Sequence, residues 1–284
     1  MKLEKVEFKI NITGNGYTVN TSDRYCITGP NGYGKTVMLT FAHALSELLL
    51  TGSDLALVNA LCEDKEHSLF GGTTRVWHDV IDQMKITTED GKVASISAVE
   101  PLKGKFAINN NGETFDLNSR AKLNNYTPVI PFLGMERHSQ GGVVLADLVS
   151  MNGGELCNKQ DIEELCVHVL GLDAAPRFFY EMPLERNSKG RKQWINELEK
   201  WQDTFSHGEL EMIRLALSLS IAKRSNGLIF IDGAENGLHI LSQQELAKRL
   251  EYYNAMGIQI IFTTYSPSCL TKGHCFDLYE GEEY

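Results

Sequence analysis

The chain has 284 residues, 42% of them apolar and 23% charged, with a formal net charge of −10. That apolar content fills the core of one large α/β domain or of two lobes, and the negative balance repels a polyanion, so any contact with nucleic acid has to be local. No run of about 18 apolar residues is present to span a bilayer, and MKLEKVEFKI carries acids where a secretion signal needs an apolar block, which points to a cytoplasmic protein with no membrane partner.

Apolar and polar residues alternate from Val6 to Ile12, TGNG supplies a turn and YTVN resumes, which predicts an N-terminal β-hairpin. RYCIT, ending at Thr28, reads as a short buried strand. The segment TVMLTFAHALSELLL is apolar around most of its circumference, so it predicts a buried helix, stopped by Thr51 and Gly52. From about 84 to 118 the pattern changes. KITTEDGKVASISA and KFAINNNGETFDL alternate and break at Asp90-Gly91 and Asn111-Gly112, which predicts two hairpins. Past the proline-bounded strand PVIPFL, the stretch DIEELCVHVLG sets Ile162, Leu165, Cys166 and Val169 on one helical face, with Gly171 at its end.

Trp194, Leu198 and Trp201 follow at i, i+4 and i+7, the spacing of a helix packing into a core. Arg186, Lys189, Arg191 and Lys192 in RNSKGRK form the one basic cluster and read as a solvated loop, since no base-reading motif or aromatic platform accompanies them. In the last third, GLIFI and IQIIF are buried strands. SQQELAKRLEYYNAMG between them is a helix with Ser242 and Glu245 spaced as a capping box and Gly257 as its stop. Strand, helix, strand with short links implies a parallel sheet. The six cysteines contain no CxxC pair and read as free, mostly buried thiols; Cys269, His274 and Cys275 have the wrong spacing for a zinc ribbon.

GPNGYGKT fits GxxxxGK[ST] and lies between a predicted strand and a predicted helix, the context that phosphate binding requires. Glycine lets the loop of Gly29, Pro30, Asn31, Gly32, Tyr33 and Gly34 curl so that its amides face an anion. Lys35 then spans toward the β- and γ-phosphates of a nucleotide, and the Thr36 hydroxyl ligates Mg²⁺. Asp232, at the end of LIFI, is the expected second carboxylate for that Mg²⁺. In FSHGELEM, Ser206 and Glu209 have capping-box spacing, and Gly208 bares the helix N-terminus to an anion.

In that order and spacing, GPNGYGKT, SHGE and LIFIDGAENGLH resemble the ATP-binding-cassette class of P-loop ATPases. The branch is the soluble one that includes the overcoming-lysogenization-defect proteins, the structural-maintenance-of-chromosomes heads and ATPases of phage-defence systems. The ENGLH tail is similar to that branch and unlike a transporter subunit. The likeness covers residues of roughly 3–60 and 125–284. It implies an α/β P-loop NTPase head over 1–284, with a mixed or parallel core sheet. The nucleotide-binding core would take 1–60 and 225–284, an antiparallel β lobe 65–125, and a helical lobe with the signature motif 140–224.

The resemblance further implies a head-to-head dimer with ATP and Mg²⁺ at the interface. Each nucleotide would lie on the Gly29–Thr36 loop and be closed over by Ser206, Gly208 and Glu209 of the other copy. Two positions depart from the family pattern. The glutamate that usually follows the strand-ending aspartate is here Gly233, and the histidine of a TTHSP-like turn is here Tyr265, which carries no positive charge near neutral pH. Glu235 is either a substitute for the missing acid or an ordinary acidic position of the family. For the glutamine that reaches Mg²⁺ from the strand near PFLGMERHSQ, Gln140 and Arg137 are both candidates.

Loss of a positioned acid–base group commonly slows turnover by about 10²- to 10⁴-fold. The expectation is an ATP-binding subunit that dimerises or assembles further around Mg-ATP, hydrolyses weakly and gates a separate effector polypeptide, in bacterial antiphage defence. The alternative is an active ATPase of DNA repair or chromosome maintenance, which the acidic balance and the lack of a coiled-coil arm between Lys35 and Ser206 disfavour.

Overall fold

The computed structural model describes residues 1–9, 14–21, 24–61, 82–100, 105–118, 128–134, 148, 151, 159–173, 205–225, 227–270 and 275–283. Among the described residues, twelve strands lie in two six-stranded sheets. β1 (Leu3–Lys9) and β2 (Gly16–Asn20) form the predicted hairpin. β4 (Gln83–Thr88), β5 (Val93–Glu100), β6 (Lys105–Asn110) and β7 (Glu113–Asn118) form the two later ones. All six join in one antiparallel sheet of order β2-β1-β4-β5-β6-β7, with β1 against β4 from Leu3↔Thr88 to Lys9↔Gln83. The turn between β6 and β7 needs positive φ at both central residues, and Asn111 at 56° and Gly112 at 94° supply it.

The second sheet has the order β12-β11-β3-β10-β9-β8. β3 (Arg24–Thr28), β8 (Phe132–Leu133), β9 (Leu228–Ile231), β10 (Gln259–Thr263) and β11 (Cys275–Asp277) pair in parallel, and β12 (Glu282–Glu283) turns back on β11. β9 and β10 are buried at every residue because apolar layers cover both faces. Leu228, Phe230 and Ile261 point into one core, and Ile229, Ile231, Ile260 and Phe262 into the other. A period of two applied to two buried faces yields the unbroken apolar runs of the sequence. The proline-bounded strand is shorter than PVIPFL suggests, since only Phe132 and Leu133 pair.

α1 (Lys35–Thr51) lies between the sheets, touching β4 and β5 on one side and β9 and β10 on the other. Hence its apolar residues run all round it, and Gly52 closes it with a left-handed C-cap whose N–H bonds Leu48 O at 2.8 Å. The short α2 (Leu55–Leu61) packs on α1. The sheets are also joined by polar contacts. Buried Gln259 accepts from Leu3 N at 2.7 Å and donates to Leu3 O at 2.8 Å, while the Tyr17 hydroxyl donates to Leu278 O at 2.9 Å.

On the far face of the second sheet lie α3 (Lys159–His168), α4 (His207–Arg224) and α5 (Ile240–Ala255). The expected stripe of Ile162, Leu165, Cys166 and Val169 is buried there, and Gly171 follows at φ 71°. α5 departs from expectation at its start. His239 is the N-cap, its Nδ1 accepting from Leu241 N at 3.4 Å, so Ser242 lies inside the first turn and Glu245 bonds Lys248 at 2.6 Å instead of completing a capping box. The Trp194, Leu198 and Trp201 stripe and the basic cluster of residues 186–192 lie outside the described residues.

Candidate functional site

The loop from β3 to α1 curls through positive φ at Gly29 (130°), Gly32 (86°) and Gly34 (90°). At Gly29 space is tight as well, since a Cβ there would stand 3.3 Å from the Leu278 Cβ. Gly34 is the N-cap of α1 and offers no side-chain cap, so the first amides of a long buried helix face outward with their partial positive charge. This is the arrangement that binds phosphate.

Lys35 is buried at the helix start. Its ammonium donates to Gly29 O at 2.5 Å and to Pro30 O at 2.9 Å, which closes the loop on itself. Those bonds use two of its three N–H groups. Above the ammonium, 3.7 Å from Nζ, is the centre of the Tyr265 ring. Burial pushes the lysine's pKa down, while the carboxylates of Asp232, Glu235 and Asp277 pull it back up.

Across the loop, Asp232 follows β9. Its Oδ2 accepts from the Thr36 hydroxyl at 2.8 Å and its Oδ1 from the Thr263 hydroxyl at 2.6 Å. Thr263 Oγ1 in turn accepts from Gly233 N at 2.8 Å. Thr263 ends β10 and is fully buried, and it orients the carboxylate, a role that TTYSP did not reveal. The Thr36 hydroxyl beside a carboxylate is an oxygen pair of the kind a hard divalent cation takes, so this donor set fits Mg²⁺.

Gly233 has φ 73°, and a Cβ there would come within 2.1 Å of Asn236 Nδ2. The backbone beside Asp232 is therefore shaped for glycine. Glu235 is held by the neighbouring turn: Oε2 accepts from the Thr264 hydroxyl at 2.6 Å and Oε1 from Tyr265 N at 2.7 Å. Both oxygens thus fix the turn that carries Tyr265, a residue 51% exposed.

Ser206 caps α4 and makes the expected box. Its hydroxyl donates to Glu209 Oε2 at 2.6 Å and accepts from Glu209 N at 3.3 Å, and Glu209 accepts from Ser206 N at 2.9 Å. Gly208 packs on the segment after Asp232, where a Cβ would meet Gly237 O at 3.1 Å. A cavity of about 130 Å³ lies between that segment and α4, bounded in part by His207, Glu211, Met212, Asp232 and Gly233. Gln140 and Arg137 lie outside the described residues.

This architecture recurs in solved structures. An SMC head domain from Thermotoga maritima superposes with a TM-score of 0.51 at 13% identity, over 95% of this chain and 91% of that one. An SmcHead bound to the C-winged helix domain of ScpA does so with a TM-score of 0.55 at 14% identity, over 95% and 91% of the two chains. No protein-family model and no curated protein matches the sequence. At such identities the likeness is one of fold alone: an α/β, ABC-ATPase-like head architecture, with an antiparallel sheet, a largely parallel sheet and flanking helices.

Proposed function

We propose that this chain binds Mg-ATP between the Gly29–Thr36 loop and Asp232, associates with a second copy through the bound nucleotide, and serves as an ATPase head in chromosome maintenance or DNA repair. The bond from Thr36 to Asp232 carries this reading, because it brings residues 196 apart into contact at 2.8 Å beside an uncapped helix N-terminus. Lys35 holds the loop in its curled form and keeps its remaining donor beneath the Tyr265 ring. Thr36 and Asp232 would hold Mg²⁺, which offsets charge on the β- and γ-phosphate oxygens when bound. Ser206 and Gly208, at the start of α4, would face the nucleotide of the partner copy. Association then depends on ATP, since donors from both copies meet one triphosphate.

Likeness to SMC heads supports this setting better than it supports the antiphage switch. That one of those heads is bound to a domain of ScpA supports a separate partner protein for this chain as well. A second reading, a switch that gates an effector and barely hydrolyses, is favoured by one feature: the residue after Asp232 is a glycine at φ 73°, with no side chain to activate water. The two differ in turnover, and DNA stimulates it only under the first.

Sedimentation and calorimetry with and without Mg-ATP provide the test. The parent chain is expected to bind and to dimerise only with nucleotide, and Lys35→Ala to do neither. Equal binding by Lys35→Ala would remove the phosphate-loop assignment.

A further inference from the structure

The flank of the phosphate loop away from Asp232 carries an aromatic pair that no part of the phosphate chemistry uses. Tyr33, inside the loop, and Tyr279, in the turn after β11, meet with ring centroids 5.6 Å apart at an interplanar angle of 78°. Tyr33 rests on the core, whereas Tyr279 is 63% exposed. That exposure does not come from a loose turn. Leu278 N bonds Thr28 O at 3.1 Å, Gly281 N bonds Asp277 O at 2.8 Å, and Asp277 Oδ1 accepts from Tyr279 N at 2.6 Å and from Glu280 N at 3.2 Å. The turn is docked on the last residue of β3, one step before Gly29. An exposed ring is thus held in register with the loop.

Strand order fixes which end of a nucleotide reaches it. β11 lies on one side of β3, and β10 and β9 lie on the other. Thr36, Asp232 and Tyr265 mark the β9 and β10 side as the place of the metal and the terminal phosphate. A triphosphate running across the start of α1 then leaves its ribose and base on the β11 side. In an edge-to-face pair, whichever ring presents its edge, Tyr279 keeps at least one face open to solvent. An open, rigidly placed aromatic face is a stacking surface for a nucleobase, and it tolerates any base because every base has a π-face.

We propose that Tyr279, braced by Tyr33, is the nucleobase platform of this site. It ranks nucleotides above inorganic polyphosphate without selecting among bases. The proposal rests on the reading of Gly29–Thr36 as a triphosphate site, and the experiment separates the two.

Binding of ATP, GTP and inorganic tripolyphosphate, each with Mg²⁺, is measured by calorimetry for the parent chain, Tyr279→Ala, Tyr279→Trp and Lys35→Ala. Tyr279→Ala should weaken ATP and GTP by about tenfold, the scale of one lost base stack, and leave tripolyphosphate unchanged. Tyr279→Trp should restore nucleotide affinity, and its indole fluorescence should be quenched by ATP but not by tripolyphosphate. Parent affinity for ATP in Tyr279→Ala would overturn the platform and leave the phosphate site standing. Equal weakening of ATP and tripolyphosphate would overturn it too, since the ring would then only support the loop. Failure of the parent chain to bind either ligand, or undiminished binding by Lys35→Ala, would bring down the phosphate site and the platform with it.

Discussion

Replacing Gly233 by alanine measures how far the backbone beside Asp232 is committed to glycine. At φ 73° a residue with a Cβ is in the left-handed region, and that Cβ would come within 2.1 Å of Asn236 Nδ2 and 2.9 Å of Asn236 Cγ. The conformation costs about 1 to 2 kcal/mol. Asn236 must also swing away, giving up a long bond of 3.4 Å to Asp232 O, worth about 0.5 kcal/mol. The total of about 2 kcal/mol lowers Tm by roughly 5 °C in a chain of this size. Urea or thermal unfolding reads it, and Asn236→Ala, which costs about 0.5 kcal/mol in the parent by losing the same bond, should cost nothing further in the Gly233→Ala background, where that bond is already gone. An alanine variant within about 0.3 kcal/mol of the parent would show that this backbone is not built around glycine. The same geometry governs any attempt to place a carboxylate directly after Asp232. Gly233→Glu starts with this penalty, so faster hydrolysis is expected from Gly233→Glu combined with Asn236→Ala rather than from Gly233→Glu alone. Brisk hydrolysis by the parent chain would end the slow-turnover reading.

Tyr265→Ala removes the ring that competes with phosphate for the third donor of Lys35. A cation–π contact of about 0.5 to 2 kcal/mol predicts Mg-ATP binding tightened by roughly 2- to 30-fold, with Tyr265→Phe unchanged; weaker binding by the alanine variant would mean that the ring touches the nucleotide instead. His43 gives a pH signature. Burial holds its pKa at about 4 against an ordinary 6.5, only partly opposed by its hydrogen bond with Ile130 O, while Glu47 stands 3.7 Å away. The folded state thus keeps His43 neutral, and its contribution is fully present above pH 6.5 and lost as pH falls toward 4. About 3 kcal/mol is at stake. Denaturation at pH 7 and pH 4.5 should show a smaller acid loss in His43→Gln than in the parent; equal losses would refute it.

What was legible in the sequence was local. GPNGYGKT specifies its own conformation, because glycines at 29, 32 and 34 permit the positive φ that the loop adopts and a helix begins at Lys35. The Ser206 box is local as well, and it formed. Ser242 and Glu245 have the same spacing and did not form one, because His239 starts the helix earlier and spacing alone cannot say which polar residue meets the free amide. Thr263 was illegible for a different reason. Its hold on Asp232 arises from the pairing of Phe262 with Ile231 in neighbouring strands, a register that no single segment encodes. Glu235 shows how the segment after Asp232 and the turn carrying Tyr265 are connected. Read along the chain it is a carboxylate three residues past Asp232, either a substitute acid or an ordinary acidic position. In the fold both of its oxygens hold Thr264 and Tyr265, so it links the segment after Asp232 to the turn over Lys35. A glutamate committed to positioning that turn is poorly placed to activate water as well. Glu235 thus holds the Tyr265 ring over Lys35 independently of the residue at 233, so Gly233→Glu alone is expected to leave that ring in place.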